Sequence, residues 1–303
     1  MIQFTTSGKR NGSHKSANRA FSLALGIIVV MPELPEVETL VRRLREPLIG
    51  RTIVKAAADW PRSIGHPSPQ EFTRRVRGLT VQAIDRRAKY LVFELGDHTA
   101  SHLHFLLIHL KMSGKLRVVS KRAPIDKHDH VIFDLDDGRQ LRFNDVRKFG
   151  RVYLLDHPDE VTGQHGPEPL DKAFTLAKFR ALIKERSGTI KPLLLNQAFI
   201  AGVGNIYADE ALWRAKIHPL RKTDSLKDAE IAALYRSIRQ TLRQAIKAQG
   251  TDAGDGVIEG DYQPRVYGRE GKPCYRCHRP IHKTTVGQRG THYCPMCQPK
   301  RGR

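Results

Sequence analysis

The spacing of apolar residues along the chain changes character twice. From Pro32 to Leu48, Val37, Leu40, Val41 and Leu44 recur at helical spacing, with Arg42, Arg43 and Arg45 on the other face. That pattern predicts an amphipathic helix entered through two prolines. Short β-branched and aromatic runs then follow at Thr52–Ala57, Leu79–Ile84, Tyr90–Leu95, Leu103–Leu110, Lys115–Val119, His130–Leu135, Gln140–Phe143 and Arg151–Leu155. Gly, Pro or Asp-Gly signals such as Asp137-Gly138 separate most of them, and strands so spaced predict a sandwich or barrel. After His157–Pro169 the period returns to that of helices, at Leu176–Glu185, Lys191–Phe199, Ile206–Lys216 and Leu226–Gln249. Residues 250–264 are rich in Gly and Asp and predict a loop, and basic, cysteine-bearing sequence closes the chain. The fold class expected is α+β and multidomain: a β-rich domain over 31–160, a helical domain over 165–264 and a small metal module over 265–300.

Charge narrows the partners. Fifty-two Lys and Arg stand against 31 Asp and Glu in 303 residues, a formal net charge of +21. A surplus of that size predicts a polyanionic partner. No apolar stretch approaches the roughly 18 residues of a spanning helix, which excludes an integral helical membrane protein. Residues 1–30 carry Lys9, Arg10, Lys15 and Arg19, no acid, and the apolar run Phe21–Val30. This imitates a secretory signal but lacks a small-residue cleavage site, so it reads as a leader outside the folded protein, with translation starting at Met31. A cytoplasmic, non-secreted protein is expected.

The four cysteines form Cys274-x2-Cys277 and Cys294-x2-Cys297 with sixteen residues between. Two such knuckles place four thiolates around one Zn²⁺, with room for a β-hairpin between them. With every position filled by protein, the metal holds shape and does no chemistry. Arg276, Arg279, Lys283, Arg289, Lys300, Arg301 and Arg303 surround it, suited to gripping phosphates.

Three further segments carry candidate chemistry, each with a plainer reading beside it. Val203-Gly204-Asn205-Ile206 joins a glycine-flanked turn to a helix start, where backbone N–H groups attract an anion; the alternative is an Asn N-cap without ligand. Asn144–Gly150 sets Phe149 beside Arg147 and Lys148 on a turn, either a hairpin tip or a wedge for a base stack. Met31–Glu36 opens with Met-Pro-Glu. If Met31 is removed, Pro32 presents a secondary amine beside Glu33, nucleophilic in part at neutral pH because an α-amine titrates near about 8. The alternative is a proline-kinked connector into the helix.

Taken together the chain resembles the bacterial formamidopyrimidine-DNA glycosylase family, from Met31 to Cys297. The resemblance rests on Met31–Thr39, Arg86–Leu91, His109–Gly114, Lys127–Val131, Gly166–Leu170, Gly202–Glu210, Val266–Arg269 and the cysteine array. It implies an N-terminal β-sandwich with a flanking helix, a helix-two-turn-helix domain and a C-terminal zinc-finger β-hairpin, with damaged double-stranded DNA in the cleft between domains. It implies a bifunctional glycosylase and AP lyase that excises oxidised purines, namely 8-oxoguanine and formamidopyrimidines, and acts as a monomer. Pro32 is then the Schiff-base nucleophile, Glu33 the acid/base at the sugar ring oxygen, Lys89 a group acting in β-elimination, and Arg289 one serving δ-elimination. His128, Arg147, Arg186 and Asn205 bind DNA, while Met112, Arg147 and Phe149 fill the gap left by the flipped nucleotide. A base inside a duplex must leave the stack before C1′ can be attacked, at a cost of roughly a few kcal/mol, and apolar wedges replace the lost stacking.

The chain departs from the family pattern in places. Gly96–Leu107 is long, Lys111 stands where Gly is usual, Val146 and Lys148 replace Pro and Arg, and the 250–264 loop is short. Three other readings compete. An endonuclease VIII-like pyrimidine glycosylase shares the architecture but usually has Gly where Leu34 stands. A non-catalytic damage binder results if residues 1–30 stay attached, since Pro32 then has no amine. An RNA-binding protein accounts for the charge and zinc alone.

Overall fold

The structure is a computed structural model describing residues 31–97, 102–252 and 260–300. The leader therefore lies outside the described residues, as do positions 253–259 of the Gly/Asp-rich loop and 98–101 of the long Gly96–Leu107 stretch. Helix α1 (Leu34–Leu48) begins two residues after Pro32, and Pro35 sits in its first turn, where a missing N–H breaks no helical bond. Glu33 is its N-cap, and Glu36 reaches back to accept the Glu33 N–H at 2.9 Å.

All eight strands expected between residues 52 and 155 form: β1 (Ile53–Ala58), β3 (Thr80–Arg87), β4 (Tyr90–Gly96), β5 (Leu103–His109), β6 (Gly114–Ser120), β7 (Asp129–Leu135), β8 (Arg139–Asp145) and β9 (Arg151–Leu155). Two elements escape the sequence pattern, β2 (Ile64–His66) and helix α2 (Pro69–Arg75). A three-residue strand containing Gly65 is too short to show alternation, and β2 is defined only by its parallel pairing with β9. The strands make a four-stranded antiparallel sheet, β1-β7-β8-β6, and a five-stranded one, β2-β9-β5-β4-β3. Their inner faces share one core, with Ile53, Val131, Phe133, Leu141 and Phe143 from the first against Ile84, Leu91, Phe93, Ile108 and Val152 from the second. The buried face of α1, Val37 to Leu48, joins that core.

After the short α3 (Asp159–Thr162), the helical part comprises α4 (Leu176–Lys184), α5 (Ile190–Leu195), α6 (Asn205–Ala215) and α7 (Asp228–Lys247). Helix α5 stops four residues before the expected Phe199 because Asn196 turns extended. The Gln197 side chain then staples the glycine turn, accepting the Gly202 N–H at 2.9 Å and donating to the Val203 carbonyl at 2.8 Å. Phe179, Leu194, Ile206, Leu212, Leu234 and Leu242 build a second core. Leu34 belongs to this second core although Val37 belongs to the first. The first turn of α1 thus bridges the two bodies. The hairpin β10 (His282–Val286) and β11 (Arg289–Tyr293) lies in the cysteine segment, over a third small core of Trp213, Val266, Ile281 and the buried cysteines. Among the described residues no helix is long and apolar enough to cross a membrane.

Candidate active site and DNA interface

Glu33 is 3% exposed, and its carboxylate ends at the N-terminus of α6. It accepts the Gly204 N–H at 2.9 Å, the Ile206 N–H at 2.9 Å and the Tyr207 N–H at 3.4 Å. The anion-attracting helix start at 203–206 is therefore occupied by a side chain of the same protein. The reason for glycine there is steric: a Cβ on Gly204 would stand 2.3 Å from the Glu33 carboxyl carbon. Gly202, at φ +80, accepts the Leu34 N–H through its carbonyl at 3.1 Å, and a Cβ there would strike Leu34 at 2.6 Å. Burial pushes the Glu33 carboxyl up to about 7, against the opposing pull of Lys89, with Glu36 adding to the rise and the α6 amides lowering it. Glu36 is buried behind it and accepts the Tyr207 hydroxyl and, at 2.8 Å, the Thr251 N–H.

A cavity of about 160 Å³ lies in front of Glu33. Met31, Lys89, Met112, Asn205, Tyr267 and Arg289 are among its walls. These residues come from the segment before α1, β-sandwich turns, the start of α6, the stretch leading into the cysteine module and the zinc hairpin, so only the assembled chain makes the cavity. Pro32 is buried between Met31 and Glu33, its nitrogen acylated by Met31 in the sequence as it stands. Lys89 occupies the two-residue turn between β3 and β4. Burial pulls its ammonium below the ordinary lysine range, Glu33 and Glu36 oppose that shift, and Arg289 and Lys111 add to it. Lys111 has φ +53, the left-handed region that favours glycine, and its N–H is capped by His109 Nδ1 at 2.9 Å.

The expected wedge residues lie on two turns joined by one carboxylate. Asp145, 1% exposed, accepts the Ser113 hydroxyl at 2.5 Å, the Arg147 N–H at 3.2 Å and the Gly150 N–H at 2.7 Å. It ties the Met112 turn to the Arg147–Phe149 turn. Phe149 is 48% exposed, with the Arg147 guanidinium 4.9 Å from its ring centre. About half of Phe149 thus meets solvent instead of the sheet beneath it. His128 is half-buried on the loop before β7, its N–H held by Asp126 at 2.8 Å. Arg186 is exposed between α4 and α5 and is not among the residues lining the cavity. Asn205 lines the cavity, but its amide donates to the Gly290 carbonyl at 3.0 Å and so fixes the hairpin that carries Arg289.

That hairpin has a second, buried anchor which spacing did not reveal. Lys191 of α5 pairs with Asp209 of α6 at 2.6 Å, both side chains wholly buried. Lys191 also donates to Thr291 Oγ1 at 2.7 Å, and Asp209 accepts the His292 N–H at 2.8 Å. Neither residue stands in a pattern that distinguishes it from a solvated helical charge; only the packing does.

Cys274, Cys277, Cys294 and Cys297 bring their sulfurs within 4.8 Å of one another, with Cys277 to Cys294 at 3.4 Å and Cys274 to Cys297 at 3.9 Å. A tetrahedron with Zn–S bonds of about 2.3 Å has edges of about 3.8 Å, so the four thiolates fit one zinc ion. N–H groups of Trp213, Arg276 and Cys297 point at these sulfurs, the outer support such a site needs. A second group, His102, His104 and Asp156, also converges, but Arg75 donates to Asp156 at 2.8 Å and already balances that carboxylate.

The cavity has walls drawn from both bodies and from the metal hairpin, and the class so defined is that of DNA repair enzymes built on a helix-two-turn-helix domain and a zinc finger. Family models described as "Formamidopyrimidine-DNA glycosylase N-terminal domain", "Formamidopyrimidine-DNA glycosylase H2TH domain" and "Zinc finger found in FPG and IleRS" match residues 31–152, 165–255 and 271–300. A formamidopyrimidine-DNA glycosylase of Herpetosiphon aurantiacus is 46% identical, over 88% of this chain and 100% of its own. The Lactococcus lactis Fpg solved with FAPY-dG-containing DNA matches at TM-score 0.82 and 40% identity, over 88% of this chain and 100% of that one. A MutM solved with carbocyclic 8-oxo-G-containing DNA matches at TM-score 0.82 and 40% identity, over 89% and 100%. The chain belongs to the formamidopyrimidine-DNA glycosylase family. It is a DNA glycosylase of oxidised-purine repair with a single structural zinc.

Proposed function

We propose that the chain excises 8-oxoguanine and formamidopyrimidines from double-stranded DNA and then cuts the strand as an AP lyase. The observation that carries this reading is a buried carboxyl, Glu33, sharing one small cavity with Lys89 and Arg289. The DNA complexes of the similar Fpg and MutM proteins support the substrate class. Pro32, as the N-terminal secondary amine of a chain that begins there, attacks C1′. The bond from C1′ to the base breaks, and the base leaves with its electron pair and takes up the proton that the Pro32 nitrogen gives up on forming its new bond. Glu33 gives its proton to O4′ as the C1′–O4′ bond opens, leaving an iminium cation between C1′ and the Pro32 nitrogen. Loss of a C2′ proton then expels the 3′ phosphate, with Lys89 acting in this β-elimination. A second elimination breaks the C5′–O bond, with Arg289 holding the departing phosphate.

His128, Arg147, Arg186 and Asn205 are proposed to hold the DNA, with Met112, Arg147 and Phe149 filling the emptied stack. The division at 31–160, 165–264 and 265–300 is proposed as the working domain structure, supported by three separate cores. The enzyme is proposed to act as a monomer in the bacterial cytoplasm. The test is borohydride trapping on an 8-oxoguanine duplex followed by mass mapping. An adduct on Pro32 is expected, and retention of DNA without any adduct would leave a damage binder.

A further inference from the structure

Two sequence motifs that the chemistry above uses unequally meet in one cluster. The turn at Arg86–Leu91 carries Lys89, whereas Gly166–Leu170 lies in the coil between α3 and α4, the connector that opens the helical domain and leads from the sandwich to its helices. Glu168 of the connector has a side chain 17% exposed. Its Oε1 accepts the Ala88 N–H at 2.6 Å and the Arg87 guanidinium at 3.2 Å, and its Oε2 accepts Arg86 at 2.8 Å. Arg86 in turn donates to the Ala88 carbonyl at 2.8 Å and to Glu38 of α1 at 3.2 Å. Arg87 donates to the carbonyls of His165 and Gly166 at 2.9 and 3.0 Å. The N–H and the carbonyl of Ala88 are thus both held, one by Glu168 and the other by the arginine that Glu168 pairs.

Ala88 needs that hold. Its φ is +53 and it is fully buried. A non-glycine residue in that region is strained and persists where its surroundings over-determine it. Arg87 pairs with Tyr90 across the sheet, so the turn has only Ala88 and Lys89 at its tip. Any relaxation of Ala88 therefore swings the peptide from which the Lys89 side chain leaves for the cavity. Glu168 suits this task by its length and by having two acceptor oxygens for three donors. Glutamine offers one acceptor and turns an amide N–H toward a donor, and aspartate is a methylene short.

We propose that Glu168 is a positioning residue for Lys89: the interdomain connector sets the conformation of the turn at Ala88 and thereby the placement of the Lys89 ammonium in the cavity. The proposal rests on Lys89 acting in the elimination. It makes the connector a part of the active site's support, so that a displacement of the connector from the sandwich would also release the lysine.

The test is a double-mutant cycle on the full, zinc-loaded chain, with Glu168→Gln, Lys89→Ala and their combination. Single-turnover strand cleavage at a preformed abasic site is measured beside affinity for an uncleavable abasic-analogue duplex. Glu168→Gln is expected to slow cleavage by about tenfold or more while affinity changes by less than about twofold, and to add nothing in the Lys89→Ala background. Equal losses in both backgrounds would mean a structural role only and would overturn the proposal. Glu168→Asp, which keeps the charge, serves if Glu168→Gln does not fold, and it is read the same way. Full cleavage by Lys89→Ala alone would instead remove the reading of Lys89, a different failure seen in a different variant.

Discussion

Glu33 Oε1 accepts the backbone N–H of Ile206 at 2.9 Å, across 173 residues of chain. That contact holds the start of α1 against the start of α6 and so sets the Pro32 end of the sandwich on the helical body. It also gives the carboxyl its character, since burial raises its proton affinity while the helix terminus limits the rise.

The proton on Glu33 gives base excision a pH dependence. With the carboxyl held up to about 7, Glu33 is protonated below that pH and ionised above it. A general acid loses competence as pH rises through its pKa, so single-turnover base excision is expected to fall as pH is raised past about 7. Glu33→Gln is expected to cost about 10²–10⁴-fold in rate and to abolish that limb of the profile. A wild-type rate independent of pH between about 6 and 8 would contradict the assignment.

Asp145 predicts a coupled defect in the two wedge turns. Asp145→Asn keeps the volume but leaves one acceptor for three donors, so at least one buried N–H or O–H loses its partner. The expected loss is about 1–3 kcal/mol of stability. Affinity for an abasic-analogue duplex should fall as well, with zinc content unchanged. Denaturant melts and fluorescence anisotropy on the same preparations check both.

His109 makes stability acid-sensitive well above the carboxylate range. Burial, with Lys111 and Lys89 nearby, pushes its pKa down to about 3. The unfolded chain takes up this proton near about 6.5, and the folded chain refuses it. Its contribution is complete above the unfolded pKa and is lost as pH falls toward 3, about 2 kcal/mol of it by pH 5. His109→Asn should flatten the dependence of unfolding free energy on pH between about 7 and 5. An unchanged slope would place the acid sensitivity elsewhere.

Zinc removal should disable the site without melting the sandwich. The finger's core includes Trp213 and two zinc-binding cysteines, while the sandwich core shares no residue with it. Chelation is expected to change Trp213 fluorescence, release Arg289 from the cavity and abolish specific DNA binding, and one equivalent of Zn²⁺ should restore all three. Retained strand cleavage by the metal-free chain would argue against the role of Arg289.

Much of this protein was determined locally and can be read along the chain. Alternation of apolar and polar positions is a property of neighbouring residues, and it located α1, eight strands and the helices α4 to α7. Cysteine spacing did the same for zinc, because a knuckle is closed by residues three apart. The strand β2 escaped because nothing but its neighbour β9 makes it a strand. What only the tertiary structure decided is which charges face one another. The glycine turn before α6 reads as an anion site, but the anion that fills it comes from Glu33, whose place is set by the packing of Leu34 into the helical core. Lys191, Asp209, Asp145 and Glu168 read as ordinary charged residues, and burial beside a specific partner turned them into anchors. Period and spacing report on the residues within a turn or a strand of one another; electrostatics in a low-dielectric interior depends on distances that chain order does not encode.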